Sequence, residues 1–369
     1  MEPRALRVWL EPGYDGGRVG AWLLDVPGAF SWAPTRELGL SQSPSAAGRF
    51  RDWAEEHGDT VDLPPIRWYE LVEEVATTYA DDGTERNATF AADHRPVGRE
   101  EVETTLRRAG FARDDLLSAL ERFGGEPSSG DRPTRTDGGD GRSTRELEAV
   151  VRHVATAETW LASRLDGSLR YRGPGPDAPL RDHLAESRKW VVAQVRELAA
   201  REPAPERTDG KGETWTLAKV LRRILYHSLD HLWELELRLA RAEAKGDRVV
   251  VTLDRRPPTE TVARLLRSVG WDARALDMDR LDGVIDGARE VACAWDGDRL
   301  VGFGRSISDG VMSAYLATIV VDPRWQGLGV GERVVRALTD GHESVRFALA
   351  AAPGLQGWYA KLGFEPDPR

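Results

Sequence analysis

The sequence has almost no cysteine and no long apolar segment. A single cysteine, Cys293, stands among 369 residues, so the chain forms no internal disulfide and no site with several cysteine ligands. No apolar run approaches the roughly 20 residues that a membrane-spanning helix needs. The first residues also lack the apolar core of a signal peptide. These absences predict a cytoplasmic protein that has no membrane partner.

Positive charge is in deficit. The chain carries 51 Lys and Arg against 61 Asp and Glu, a net charge of −10. This balance argues against nucleic acid as a partner of the whole chain. It mildly favours cationic acceptors, but an ordinary solvated surface is the better explanation. A composition of 40% hydrophobic and 30% charged residues is ordinary for globular proteins. The length predicts two or three domains.

Residues 319–338 have the pattern of a strand, a tight turn, a glycine-rich loop and a helix. Val320 and Val321 end the strand and Pro323 stops it. Apolar residues then recur at helical spacing. A glycine loop that leads into a helix presents free backbone N–H groups and the positive end of the helix dipole, which predicts a pyrophosphate site. The loop consists of Gln326, Gly327, Leu328, Gly329, Val330 and Gly331.

This loop fits neither of two common phosphate-binding patterns. No Lys-Ser/Thr pair follows the last glycine, as a P-loop requires, and the glycine spacing differs from a dinucleotide fingerprint. The loop closely resembles the acyl-CoA loop of GNAT N-acetyltransferases, Gln/Arg-x-x-Gly-x-Gly/Ala, with Gln326, Gly329 and Gly331 in place. The resemblance implies acetyl-CoA as cofactor and an amine of a small molecule or protein as acceptor. An ordinary strand–turn–helix is the alternative.

The order of predicted elements after residue 246 supports the same resemblance. Strands and helices alternate as β-α-α-β-β-β-α-β-α, which is the GNAT order, so residues 246–369 are predicted to form a mixed α/β domain. Strands are predicted near 248–253, 290–295, 300–307, 314–322 and 345–350. Helices are predicted near 257–270, 278–288, 329–339 and 355–362.

The GNAT resemblance also assigns catalytic roles. Exposed backbone N–H groups at Ile319, Val320 and Val321 would polarise the thioester carbonyl. The segment Gly357–Phe364 resembles the closing motif of the family and places Tyr359 at the position of the general acid. A packing role is the alternative for Tyr359, and no general base is visible.

The family usually closes its sheet with one or two further strands, whereas this sequence ends five residues after Phe364. The acceptor pocket is therefore expected to be open, or to be completed by a second chain in a homodimer or by the preceding domains.

The middle of the chain is predicted to be helical. Periodic apolar residues mark helices at 99–123, 143–165, 180–200 and 216–242, joined by polar segments. Ser143-Thr-Arg-Glu146 is a capping-box pattern. Four helices with short polar connections pack naturally as a four-helix bundle, so residues 96–245 are predicted to form one.

Three histidines in these helices have the spacing of metal ligands. His227 and His231 lie one turn apart on one helix face, a geometry that suits a divalent ion such as Zn²⁺ or Ni²⁺. His153 is central in another predicted helix and supplies a third candidate ligand. The alternative is that the three rings face solvent or satisfy core hydrogen bonds.

A central histidine on one helix and His-x-x-x-His on the last resemble the DinB-like family over about residues 97–245. That resemblance implies a metal centre held by His153, His227 and His231, with an open position for water or a thiolate. It also implies a second functional reading, a metal- and thiol-dependent transferase or isomerase. The third functional interpretation is a protein without catalytic activity, such as a sensor or a domain with a vestigial metal site.

The N-terminal residues 1–95 are predicted to form a small α+β domain. Strands are expected near 5–10, 19–26 and 29–33, followed by a helix from Ser45 to about His57. This order resembles the small HicB-like domain of bacterial antitoxins over the first 60 residues, and an unrelated β-β-α cap is the alternative. The whole chain is thus predicted to be an α+β multidomain protein.

Overall fold

The computed structural model of the chain describes residues 4–63, 66–123, 147–174, 178–253, 256–271, 275 and 277–366. The chain divides into two compact units. One comprises Met1–Ala76 together with Ala240–Arg369, and the other comprises Thr77–Leu239. No helix among the described residues is both long and apolar enough to cross a membrane.

The N-terminal part of the first unit is a four-stranded sheet with one long helix. The strands run in the order β3-β2-β1-β4, with β4 parallel to β1 and the other neighbours antiparallel. The elements are β1 (Arg4–Gly13), the single turn α1 (Tyr14–Gly17), β2 (Arg18–Trp22), β3 (Phe30–Ala33), α2 (Arg36–Glu56) and β4 (Ile66–Glu74).

Helix α2 begins nine residues earlier than the expected start at Ser45. Thr35 is the N-cap, and its side chain accepts a hydrogen bond from the backbone N–H of Leu38 at 3.2 Å. Pro44 lies inside the helix. A proline in a helix removes one backbone hydrogen bond, and here the buried packing of α2 residues such as Phe50 and Trp53 outweighs that loss.

The second unit contains two short hairpins and four long helices among its described residues. The hairpins are β5 (Thr78–Tyr79) with β6 (Glu85–Arg86), and β7 (Glu206–Thr208) with β8 (Thr214–Thr216). The helices are α3 (Arg99–Arg122), α4 (Leu147–Ala162), α5 (Leu180–Ala199) and α6 (Leu217–Ala242). They lie where the apolar periodicity predicts them. The capping-box pattern at 143–146 lies outside the described residues, and the DinB-like assignment stays a prediction.

The C-terminal part of the first unit is a five-stranded sheet in the order β13-β12-β11-β10-β9. Only β12 and β13 are parallel to each other. The elements are β9 (Val250–Thr252), α7 (Thr259–Ser268), α8 (Met278–Asp286), β10 (Glu290–Asp296), β11 (Arg299–Ser308), β12 (Ser313–Val321), α9 (Val330–Thr339), β13 (Arg346–Leu349) and α10 (Gln356–Ala360).

Apolar residues on both faces of this sheet are buried. In β10, Val291 and Cys293 pack into one cluster with the buried residues of α7 and α8. Ala292 and Ala294 point to the opposite face and pack with α9. Helices therefore cover both faces of the sheet, and Cys293 is a free, buried residue in this core.

Helix α2 packs directly against the C-terminal sheet domain. Arg51 donates a hydrogen bond to the backbone oxygen of Arg267 at 2.6 Å, and Ser41 donates to that of Pro353 at 2.8 Å. Gly48 permits the closest approach, because a Cβ there would lie 2.6 Å from the carbonyl oxygen of Ser268. The two parts of this unit are thus joined by close backbone contacts.

Candidate acyl-transfer site and histidine cluster

Strand β12 continues beyond the residues that pair with β13. The parallel pairing runs from Ser313 opposite Arg346 to Leu316 opposite Leu349 and ends there, although β12 continues to Val321. Between β11 and β12, Thr318 and Ile319 together face Gly304 alone, which is a β-bulge. Thr318 has a φ of 56°. A bulge bends a strand and increases its twist, so β12 bends at Thr318, beyond Leu316, the last of its residues that pairs with β13.

The backbone of Val321 points to the gap on the β13 side of β12, which begins beyond the last paired residues, Leu316 and Leu349. The N–H of Asp322 donates to the carbonyl of Val301 in β11 at 2.8 Å. Successive residues of a strand direct their backbone groups to opposite sides, so the N–H and C=O of Val321 point away from β11. The Val321 carbonyl accepts a hydrogen bond from the Gln326 side chain at 3.0 Å. Strand β13 does not extend far enough to pair with the Val321 N–H.

The glycine loop follows directly and ends at the start of α9. Gly327 and Gly329 have φ values of 73° and 77°, which residues other than glycine rarely adopt. Gly329 is the N-cap of α9 and supplies no capping side chain. The first-turn N–H groups of α9 are therefore not capped by this residue, and the helix dipole adds positive potential at the same place.

Trp325 anchors the turn that leads into the loop. Its buried ring lies beneath Lys245, whose Nζ is 3.8 Å from the ring centroid. Its indole N–H donates to Asp296 at 3.2 Å. Asp322 fixes the same turn, because it accepts hydrogen bonds from the Arg324 backbone N–H and from the Arg299 side chain. The loop thus starts from a rigid base.

Tyr359 lies in α10 and belongs to the cluster that packs around α9. It is 8% exposed and contacts Trp358 and Phe364, with ring centroids 4.7 Å and 5.8 Å away. Burial raises the pKa of Tyr359 above its ordinary value, so the hydroxyl keeps its proton at neutral pH. Trp358 lies beside Gly331, where an added Cβ would be 3.4 Å from the indole.

Two features of this site were not evident from the sequence. The bulge at Thr318 has no residue signature, because threonine is ordinary in strands. The hydrogen bond from Gln326 to Val321 joins the first residue of the glycine loop to the end of the strand. The predicted roles of Ile319–Val321, the loop residues and Tyr359 stay predictions.

In the second unit, the three predicted histidines come together. His153 of α4 lies with its ring centroid 5.0 Å from that of His227 and 5.3 Å from that of His231 on α6. One ring nitrogen from each lies within 4.8 Å of the other two. His153 is exposed, His227 is half-buried and His231 is buried. Three imidazoles at this spacing can converge on one divalent ion.

Glu234 orients one of these rings. Its carboxylate lies 2.9 Å from Nδ1 of His231, so Nδ1 acts as the donor and the lone pair of the ring is on Nε2. Burial alone raises the pKa of Glu234, but hydrogen bonds from His231 and Arg238 outweigh it and hold that pKa below its ordinary value. The spacing His231-x-x-Glu234 is visible in the sequence and could have identified this partner.

Comparison with known proteins bears on the C-terminal part of the chain. The model of the acetyltransferase (GNAT) domain family matches residues 269–368. An uncharacterized N-acetyltransferase, ycf52-like, of Prochlorococcus marinus is 33% identical over 115 residues, which are 29% of this chain and 62% of that protein. Serotonin N-acetyltransferase 2, chloroplastic, of rice is 41% identical over 73 residues, which are 19% of this chain and 36% of that protein.

A solved structure of a probable acetyltransferase from methicillin-resistant Staphylococcus aureus is 27% identical. The match covers 32% of this chain and 92% of the Staphylococcus aureus chain, with a TM-score of 0.30. The two curated relatives are each spanned over less than two thirds of their length. The family match, the relatives and the loop motif fall on the same segment, and residues 269–368 form a GNAT acetyltransferase domain.

Proposed function

We propose that the protein transfers an acetyl group from acetyl-CoA to an amine, using the gap between β12 and β13. The observation that carries the proposal is the end of strand pairing at Leu316 and Leu349, on a strand that leads through the glycine loop to the start of α9 at Gly329, which supplies no capping side chain. In the proposed complex an extended thioester arm would lie beside β12, and the start of α9 would bind the pyrophosphate. The loop residues Gln326–Gly331 would hold that pyrophosphate.

The reaction needs three contributions from the chain. The Val321 N–H, directed into the gap, donates to the thioester oxygen as negative charge develops there. The acceptor nitrogen attacks the carbonyl carbon, and the carbon–sulfur bond breaks as the tetrahedral intermediate collapses. Tyr359 then gives its proton to the departing thiolate. The attacking nitrogen loses its extra proton to water.

The acceptor is proposed to be a primary amine on a small molecule or a protein lysine. Relatives of this domain include proteins named for serotonin and for histone acetylation. A panel of serotonin, a polyamine and a lysine peptide therefore covers arylalkyl, aliphatic and protein amines. Release of free CoA thiol reports turnover with any of them.

Binding of acetyl-CoA tests the proposal, and two glycines provide a matched pair of variants. Gly329 and Gly341 have φ values of 77° and 81°, and an added Cβ would meet nothing within 4 Å at either position. Alanine therefore costs about 1–2 kcal/mol of backbone strain at both. Only Gly329 lies in the glycine loop.

By calorimetry, we expect Gly329→Ala to weaken acetyl-CoA binding by about tenfold or more, roughly 1.4 kcal/mol. Gly341→Ala should bind as the wild type does. Folded wild-type protein that binds no acetyl-CoA would contradict the proposal.

A metal centre at His153, His227 and His231 is proposed as a second function, supported by the convergence of their ring nitrogens within 4.8 Å. Because Nδ1 of His231 donates to Glu234, the lone pair on Nε2 of His231 is available to a metal ion. Three imidazole ligands suit Zn²⁺ or Ni²⁺ and leave a position open. An ion bound there would activate a water molecule or accept a thiolate, as in a thiol-dependent transferase.

Metal analysis separates the two functions. We expect about one divalent ion per chain, lost in the His227→Ala, His231→Ala double variant. His94→Ala is the control, because His94 pairs with Glu206 at 3.0 Å and is exposed. A metal-free wild type that Zn²⁺ and Ni²⁺ do not stabilise against heat would refute the metal centre and leave the acetyltransferase proposal untouched.

A further inference from the structure

A cavity of about 590 Å³ opens in the unit of residues 77–239, and neither proposed function uses it. Its walls come from the end of α4, the segment after it and the β7–β8 turn. The volume falls in the range of sites that hold metabolite-sized molecules. Arginines, one carboxylate and an indole make up the chemically distinctive part of the lining.

Three guanidinium groups face this cavity. Within the described part of the chain, Arg170 donates only to the backbone oxygens of Gly167 and Leu169. Arg207 donates to the backbone oxygen of Arg164 at 3.0 Å. Neither arginine forms an ion pair with a described carboxylate. Burial lowers the pKa of Arg164; the negative charge of Asp209 opposes this shift, and the positive charges of Arg207 and Arg170 add to it.

The one carboxylate in the lining, Asp209, neutralises only part of this positive charge. Asp209 accepts hydrogen bonds from the backbone N–H groups of Lys211 and Glu213 at 2.9 Å and 3.2 Å, and from the Trp215 indole at 3.1 Å. Its closest approach to Arg164 is 3.9 Å. Asp209 thus forms one long ion pair, with Arg164, and the described lining residues keep an excess of positive charge.

An aromatic wall adjoins the arginines. Trp160 is 46% exposed, which is unusual for so large an apolar side chain. The guanidinium carbon of Arg164 lies 4.3 Å from its ring centroid, and Trp215 meets its edge. A flat group can cover the exposed indole while its charged substituent reaches the guanidinium groups.

We propose that this cavity binds a small organic anion that carries a carboxylate or phosphate beside a flat apolar group. Arg164, Arg170 and Arg207 recognise the anion, and Trp160 contacts the flat part. Arginine presents paired N–H donors that match the oxygens of both kinds of anion. A solvated basic surface would explain the charge alone, but it would not explain a concave lining with an exposed indole.

The cavity and the histidine cluster both draw a residue from α4. Thr156, one of the lining residues, lies one helical turn after His153. The proposal does not depend on a metal ion at those histidines.

Calorimetry on the full chain tests the proposal with three probes. Phenyl phosphate and phthalate join a flat ring to the two candidate anions, and benzamide is a neutral comparison. We expect both anions to bind and benzamide not to bind. A phosphate preference and a carboxylate preference would each support the site and identify its ligand class.

Two variants that each remove one positive charge test whether the anion binds in the cavity. Arg170→Gln removes a lining cation whose side chain bonds only to local carbonyl oxygens, so folding should not change. Arg172→Gln removes an exposed cation two residues away that is not in the lining. We expect anion affinity to fall about tenfold in Arg170→Gln and to stay unchanged in Arg172→Gln.

Raising the salt concentration should weaken anion binding to the wild type. The proposal is overturned if neither anion binds at millimolar concentration, if benzamide binds as tightly as the anions, or if the two variants bind equally. A second variant, Arg207→Gln, repeats the test in case Arg170→Gln does not fold.

Discussion

Lys219 is fully buried, and its position shows what burial does to a single charge. Its ammonium nitrogen lies 2.8–3.0 Å from Glu213, Thr89 and two backbone oxygens. Burial nevertheless lowers the pKa of Lys219 to about 8, although Glu213 opposes that shift. Burial also raises the pKa of Glu213. Desolvation therefore outweighs the ion pair for both partners.

This shift makes stability depend on pH in a definite direction. Above pH 8 the folded chain loses the Lys219 proton, whereas the unfolded chain keeps it to about pH 10.5. The unfolded state then binds more protons, so stability from this group rises with pH. We expect the free energy of unfolding of wild type, relative to a Lys219→Met, Glu213→Gln variant, to rise by about 2 kcal/mol between pH 8 and pH 10. Urea titrations measure it, and a flat difference would contradict the lowered pKa.

Tyr359 combines a packing role with a proposed chemical one, and Tyr359→Phe separates them. Phenylalanine keeps the ring contacts with Trp358 and Phe364 but removes the hydroxyl. We expect kcat to fall by about 100-fold, while the dissociation constant of acetyl-CoA changes little. Tyr79→Phe, at a tyrosine that is 49% exposed in the other unit, serves as the control. An unchanged kcat would show that Tyr359 only packs.

At the scale of elements, the close packing of α9 on β11 positions the glycine loop. An added Cβ on Gly304 would lie 2.7 Å from Ile319 and 2.8 Å from Val334. Val334 is fully buried, so it cannot move away without disturbing the face that α9 packs on. The start of α9 is thereby held beside the end of β12, where the loop must meet the gap.

Substituting Gly304 tests this packing. We expect Gly304→Ala to lower stability by about 1–3 kcal/mol through overpacking and to weaken acetyl-CoA binding as well. Gly283→Ala in α8 is the contrast, because its Cβ would meet nothing within 4 Å and alanine favours a helix by up to about 1 kcal/mol. Thermal unfolding and calorimetry measure both effects. A neutral Gly304→Ala would mean that α9 does not need this close approach.

At the scale of the first unit, the N-terminal sheet and helix contact the acetyltransferase domain through α2. Arg324, in the turn before the glycine loop, pairs with Glu56 at 2.6 Å. Leu38 lies against Gly354, where an added Cβ would be 2.5 Å away. The contacts of α2 reach the loop before α10 and the turn after β12, both of which adjoin the proposed site.

A glycine pair in α2 tests how closely the two parts are joined. An added Cβ on Gly48 would lie 2.6 Å from the backbone oxygen of Ser268 and 2.9 Å from that of Arg267. Backbone oxygens cannot move aside cheaply, so we expect Gly48→Ala to destabilise the unit by about 1–3 kcal/mol. At Gly39, the same addition makes ordinary contacts at 3.7–3.8 Å.

Gly39→Ala should therefore be neutral or stabilise by up to about 1 kcal/mol. Differential scanning calorimetry compares the two variants. If Gly48→Ala were as stable as Gly39→Ala, the contact between α2 and α7 would be looser than the structure shows.

Local patterns in the sequence determined the elements, since helix and strand periodicity depends on neighbouring residues. The helices of the second unit, the strand before the glycine loop and the spacing of His227 and His231 were all predicted this way. The start of α2 was predicted wrongly, because helix propensity carries no information about the burial that tolerates Pro44.

The tertiary structure alone decided which distant residues meet. His153 reaches His227 and His231 only because α4 packs near α6, and no local rule relates positions so far apart. The bulge at Thr318 and the end of the pairing between β12 and β13 depend on how the strands meet across the sheet. Contacts of α2 with α7 join residues more than 200 positions apart. Periodicity is a property of a segment, whereas a site is a property of how segments pack.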